Sequence, residues 1–268
     1  MGRDNRPEMV TMGNVLRNLL DSDYIVFPNR FMEEKMSGAY MLDSLYRGTV
    51  LREGYPRNDI FRHKPDLSMK KLAGFAGKTL LTYFPTYRGI FNQVERQEYM
   101  ETLSANLALW DSQLKDDEIL LIKLHPFLHG SEAFDGYRHI RAFPTDWDTY
   151  EGLNLCDVLI TDYSSVAWDV FYQDKPVLFY QFDLDTYEQA EGSYIDMRKE
   201  LFGDRTEDEN ELLDLFEKNI KNGFKVEPKY EEMRHEYFKE IDQNHSKRVC
   251  DCIKEYFKEP EEQAEIEV

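Results

Sequence analysis

The chain has 268 residues, 41% of them apolar and 14% aromatic, with 33 basic against 52 acidic side chains and a formal charge of −19. That length and apolar content support one large α/β domain or two small ones, each with a core of its own, and exclude a disordered acidic tail. The negative balance excludes non-specific binding to nucleic acid, so any phosphate-bearing ligand must be gripped by a local arrangement of residues.

The N-terminus, Met1-Gly2-Arg3-Asp4, carries no apolar signal-peptide core, and Arg6 stands where a myristoylation signal needs Ser or Thr. Residues 23–28 read as a short buried strand, 29–46 as a helical stretch and 49–53 as a second strand. Gly54-Tyr55-Pro56-Arg57-Asn58-Asp59 is a turn-rich stop, and 62–77, with basic Lys70-Lys71, reads as a linker. Domain boundaries are expected at 1–76, 77–222 and 223–268.

From Lys78 the pattern becomes regular. Apolar runs at 79–84 and 119–124 flank a stretch in which Met100, Leu103, Leu107, Trp110 and Leu114 recur at helical spacing. Strand–helix–strand of this length predicts a right-handed βαβ crossover. Further strands are predicted at 138–143, 157–161 and 177–181, with helices near 147–154 and 164–173. Five short apolar strands alternating with helices predict a Rossmann-type doubly wound parallel sheet. Beyond about 207 the chain reads as helical, ending in an acidic, frayed tail over 255–268.

No run approaches about 18 uninterrupted apolar residues, so no membrane-spanning helix is predicted. Cys156, Cys250 and Cys252 are odd in number and form no Cys-x-x-Cys pair. They predict a reduced, cytoplasmic protein with neither a disulfide scaffold nor a zinc site.

In an open parallel sheet, ligands bind beyond the carboxyl ends of the strands. Those positions hold Pro85-Thr86-Tyr87-Arg88, His125-Pro126 and Thr161-Asp162-Tyr163-Ser164-Ser165. A helix starting on two serines offers unpaired amides, two hydroxyls and a positive dipole end, which suits a phosphate or pyrophosphate. A plain serine N-cap is the competing reading. His125 is placed to bind a phosphoryl oxygen or move a proton, or is a histidine satisfied in its loop. Arg88 is a phosphate ligand or an ordinary surface arginine. His125 and His129 are separated by Pro126, which spoils a helical metal pair. Gly77-Lys78-Thr79 mimics the end of a P-loop but precedes its strand and lacks the first glycine; there is no Gly-x-Gly-x-x-Gly and no Gly-x-Ser-x-Gly.

Asp157-Val158-Leu159-Ile160-Thr161-Asp162-Tyr163-Ser164-Ser165-Val166, with Asp169 and Lys175-Pro176-Val177-Leu178-Phe179-Tyr180 downstream, resembles the signature of the CDP-glycerol glycerophosphotransferase family, the bacterial enzymes that prime and polymerise teichoic acids. Gly54 to Asp59, Pro85 to Arg88, Lys123 to Pro126, and Asp183-Leu184 with Tyr187 agree in order and spacing, so the likeness covers about residues 2–220. It implies a GT-B-like fold in which the Rossmann-type second domain binds a CDP-activated polyol donor. It implies donor contacts from Arg88, Thr161, Asp162, Ser164, Ser165 and Asp169, with Ser164 and Ser165 on the pyrophosphate and Asp162 orienting the turn. His125 would match one of two histidines the family relies on.

The other histidine lies in a Trp-His-Gly-Thr-Pro-Leu-Lys motif, whose tail Gly2-Arg3-Asp4 resemble. The likeness thus implies a partial N-terminal acceptor-side domain, a C-terminal helix crossing back onto it, weak or no activity by itself, and a tendency to self-associate as a homo-oligomer. A Pro-Gly-Pro element of the family is replaced by Leu201-Phe202-Gly203-Asp204. The implied reaction is displacement at the β-phosphorus of CDP-glycerol by a hydroxyl of a lipid-linked polyol phosphate acceptor, with CMP leaving and no cofactor. Contact with the inner membrane face would be peripheral. Glycerol and ribitol donors both stay open. So do a catalytically incomplete anion-binding module and a GT-B glycosyltransferase using another nucleotide.

Overall fold

The computed structural model describes residues 9–87, 93–124 and 134–263, which form two compact units: residues 65–232, and the flanking segments 9–64 with 233–263.

The flanking unit begins with α1 (Met9–Leu20), β1 (Tyr24–Val26), α2 (Arg30–Tyr40), α3 (Leu42–Leu45) and β2 (Thr49–Leu51). β1 and β2 pair in parallel, Tyr24 opposite Thr49 and Val26 opposite Leu51. Pro28 ends β1, and Asn29 starts α2 by accepting the Met32 N–H at 2.8 Å. Ile25, Phe27, Leu42 and Tyr46 make the buried centre of this unit.

The expected turn at 54–59 continues into a 3₁₀ helix, Pro56–Arg62, on which α11 (His245–Gln263) packs. The Asp59 carboxylate accepts the N–H groups of His245 at 2.8 Å and Ser246 at 2.9 Å, so a residue remote in sequence caps α11. Gly54, at φ +74°, lies against the His245 ring; a Cβ there would come within 2.3 Å of Nδ1. This cap carries residues 233–263 into the unit of 9–64, where a separate C-terminal segment from 223 was expected, and α11 runs as far as Gln263, into the stretch 255–268 expected to fray.

Burial works to raise the Asp59 pKa, and the hydrogen bonds from Ser246 and His245 outweigh it, leaving it below the ordinary 3.8. A carboxylate with a depressed folded pKa stabilises the fold above its unfolded pKa and loses that contribution as pH falls through the folded value. Asp59→Ala is therefore expected to cost about 1–2 kcal/mol at pH 7. Urea unfolding at a series of pH values should show the gap between wild type and variant closing below about pH 4; a gap constant down to pH 2.5 would contradict the cap.

The other unit holds α4 (Leu67–Leu72), β3 (Thr79–Phe84), α5 (Gln93–Gln113), β4 (Glu118–Ile122), β5 (Ile140–Ala142), α6 (Thr149–Leu155), β6 (Val158–Thr161), α7 (Val166–Gln173), β7 (Val177–Tyr180), α8 (Leu184–Ala190), β8 (Asp204–Thr206) and α9 (Glu209–Lys221); α10 (Pro228–Tyr237) follows. The six strands are all parallel, in the order β5-β4-β3-β6-β7-β8, the doubly wound arrangement.

Both faces of this sheet are covered, which explains the near-continuous apolar runs. Leu81, Tyr83, Leu120, Ile122, Ile160 and Leu178 share one face with Leu103, Leu107 and Trp110 of α5 and Leu212 and Phe216 of α9. On the opposite face, Phe84 meets Phe143 edge-on at 5.2 Å and Phe179 meets Phe202 at 5.4 Å. The sheet has one strand more than the five expected. β8 is three residues of Asp-Arg-Thr at an edge, with no apolar alternation to reveal it. Gly203 lets it approach β7, since a Cβ there would lie 2.0 Å from the Val177 carbonyl oxygen. The expected linker contains α4, capped by Asp66 through the Ser68 N–H at 2.9 Å.

Candidate active site

β3 and β6 are neighbours at the point where the strand order reverses, so the chain leaves their carboxyl ends toward opposite faces and opens a crevice between the two loops. The loop after β3 is Pro85-Thr86-Tyr87; the loop after β6 is Asp162-Tyr163-Ser164-Ser165.

Asp162 ties these loops together. Its carboxylate, almost fully buried, accepts from the Thr86 N–H at 2.9 Å, the Thr86 hydroxyl at 2.6 Å and the Tyr163 N–H at 2.5 Å. The fully buried Gln181, just beyond β7, donates Nε2–H to the Asp162 carbonyl at 3.1 Å and accepts from Arg205 Nε at 2.8 Å. The Thr161 hydroxyl is also turned inward, donating to the Phe84 carbonyl at 2.7 Å. Asp169 lies buried in the first turn of α7. Thr161 and Asp162, expected among the donor contacts, are thus turned into the fold and tie the two loops together, and Asp169 is buried in α7.

Ser164 and Ser165 differ from these three. Ser165 is exposed and occupies the N-cap position of α7, yet its side chain makes no capping hydrogen bond. Ser164 is half-buried, and its oxygen receives only a long contact, 3.4 Å, from the Val166 N–H. The Ala167 and Trp168 amides turn back to the carbonyls of Ser164 and Ser165 at 3.2 and 3.1 Å, so not every amide expected to be bare is available. Among the described residues, the N–H groups of Ser164 and Ser165 have no backbone partner. Two hydroxyls and two amides at a helix N-terminus are the kind of donors that an anion binds. Arg88 and His125, expected beside it, lie outside the described residues.

Lys123, directly after β4, went unassigned in the sequence, although a lysine inside an apolar run was a signal for it. Its ammonium lies 5.0 Å from the Phe143 ring and 5.7 Å from that of Phe84, and it donates to the Thr149 hydroxyl. Burial lowers its pKa, opposed by Asp148. Lys175, prominent in the sequence signature, serves the fold: its amine donates to the carbonyls of Asn154 at 2.7 Å and Cys156 at 2.6 Å, closing the C-terminus of α6. Burial pushes its pKa down to about 8. The crevice lined by Lys175, Gly203, Asp204 and Lys218 opens at the amino edge of β7, away from the serine loop. Among the described residues, no group of three His, Cys, Asp or Glu side chains is placed to hold a metal ion.

The model of the CDP-glycerol:poly(glycerophosphate) glycerophosphotransferase family matches residues 1–255. The chain is 28% identical over 244 residues to a teichoic acid glycerol-phosphate transferase of Staphylococcus aureus, covering 86% of this chain and 60% of that protein. It is 27% identical over 214 residues to a teichoic acid poly(ribitol-phosphate) polymerase of Bacillus spizizenii, covering 76% of this chain and 33% of the relative. A solved wall teichoic acid polymerase, TagF, superposes with a TM-score of 0.71 at 24% identity, covering 97% of this chain and 64% of the other; the likeness fits a GT-B-like α/β fold. The chain therefore spans less than two thirds of the length of these relatives.

Proposed function

Since the chain belongs to the CDP-glycerol:poly(glycerophosphate) glycerophosphotransferase family, we propose that residues 65–232 bind a CDP-activated polyol phosphate, with its diphosphate against Ser164 and Ser165. The reaction is transfer of the polyol phosphate, glycerol phosphate in the first instance, to a hydroxyl of a teichoic acid chain carried on a lipid. The acceptor oxygen forms a bond to the β-phosphorus, the bond from that phosphorus to the bridging oxygen breaks, and CMP leaves with the electron pair. Such transfers depend on positioning and on neutralising phosphate charge. The serine hydroxyls, their amides and the N-terminus of α7 supply that neutralisation, and Arg88 adds a guanidinium from the segment after β3. His125, after β4, takes the proton of the attacking hydroxyl or holds a phosphoryl oxygen.

The observation that carries this reading is the position of the serine pair, at the switch point of the sheet with the Ser165 hydroxyl left uncapped. Thermal shift with CDP, UDP and GDP tests it. CDP at a hundred times its Kd should stabilise the protein by about 2.7 kcal/mol. A flat response to CDP, or a larger one to UDP or GDP, would overturn the proposal.

The proposal includes peripheral contact with the inner membrane face. No helix among the described residues is long and apolar enough to cross a membrane. On α4, Leu67 and Leu72 are 64% and 87% exposed, beside the exposed Lys71, whereas Lys70 is turned to the Asp157 carboxylate at 3.9 Å. Apolar side chains next to basic ones suit an anionic lipid surface. Co-sedimentation with anionic but not neutral vesicles tests that part.

A further inference from the structure

Tyr163 stands between the buried Asp162 and the accessible Ser164, and it is itself wholly buried. Its hydroxyl donates to Asp183 Oδ1 at 2.8 Å, and its ring stacks on Tyr187 with centroids 3.6 Å apart and planes within 10°. Asp183 is at the N-cap position of α8, where a carboxylate ordinarily bonds the helix's own first amides, yet its side chain makes no capping hydrogen bond. The residue type best suited to start α8 is instead turned toward the serine loop. Packing alone does not account for this, because a phenylalanine at 163 would fill the same space without engaging a carboxylate.

The Asp162 bonds to Thr86 and Gln181 fix where the loop leaves β6. The Ala167 and Trp168 amides, bonded to the Ser164 and Ser165 carbonyls, fix the first turn of α7, and neither set of bonds seats the Tyr163 side chain. Tyr163 joins that anchor to the serine pair in the chain, and its side chain is held by Asp183 and Tyr187. We propose that Asp183 and Tyr187 are positioning residues: acting through Tyr163, they hold the serine pair in the orientation that receives a diphosphate. This inference rests on the reading that the pair binds the donor diphosphate, and it adds residues that touch no phosphate themselves.

The test is calorimetric titration with CDP, together with melting temperatures, for Tyr163→Phe, Asp183→Ala, Asp183→Asn, Tyr187→Ala and Tyr187→Phe in the full chain. Tyr163→Phe, Asp183→Ala and Tyr187→Ala should each weaken CDP about tenfold, the loss of one well-placed hydrogen bond or ring contact. Asp183→Asn keeps an acceptor and Tyr187→Phe keeps the stack, so each should recover most of the affinity lost by its alanine counterpart. A merely structural role would lower melting temperatures without this rescue of affinity. Wild type that binds CDP while all five variants bind it equally well would overturn the positioning role alone. Wild type that fails to bind CDP would remove the donor reading, and this inference with it.

Discussion

Replacing Ser164 and Ser165 together by alanine is expected to weaken CDP binding at least a hundredfold while leaving the melting temperature nearly unchanged. A hydrogen bond to a charged group contributes about 1.5–3 kcal/mol, so two hydroxyls on a diphosphate contribute roughly 3–6 kcal/mol, about two to four powers of ten in Kd. The stability half of the expectation follows from the missing cap. The Ser165 side chain bonds no amide of α7, and Ser164 makes only a 3.4 Å contact, so little native hydrogen bonding is lost. Isothermal titration and calorimetric melting of the double variant separate the two readings of this pair. A drop in melting temperature with unchanged CDP affinity would make the serines ordinary helix starters.

Asp162→Ala is expected to have the largest effect on stability. The substitution strands the Thr86 amide and hydroxyl and the Tyr163 amide inside the protein, where unpaired donors cost about 1–3 kcal/mol each. Partial relaxation and water entry bring the net to about 3–5 kcal/mol, on the scale of breaking a buried charged network. For a chain of this length that is roughly a 10 °C fall in melting temperature. Asp162→Asn, which keeps a carbonyl oxygen for the two amides, should fall between wild type and alanine. A melting temperature within 2 °C of wild type for the alanine variant would show that the two loops are held by something else.

The sequence was legible where burial is two-sided. β3, β4, β6 and β7 are apolar on both faces, and their runs stand out without any alternation. β8 escaped because an edge strand of Asp-Arg-Thr has no apolar signal. The serine pair was legible because helix starts follow local rules, and Asp162 was expected to orient the turn, whereas the partners through which it does so were not legible. Thr86 and Asp162 lie 76 residues apart, and Asp59 and Ser246 lie 187 apart. Such pairings depend on the finished topology, which no local pattern encodes. The same limit hid Gln181 altogether and left Asp183 and Tyr187, though part of the family-like pattern, without a place: each is near the loop only because β7 ends beside β6. Lys175 was visible in the signature without a role, and its amine closes α6.

The most direct measurement is a crystal structure of the protein with CDP-glycerol bound. The account predicts diphosphate oxygens within hydrogen-bonding distance of the Ser164 and Ser165 hydroxyls, in the crevice between the loops after β3 and β6. A saturated complex with the diphosphate seated anywhere else, or with neither serine touching it, would contradict the account.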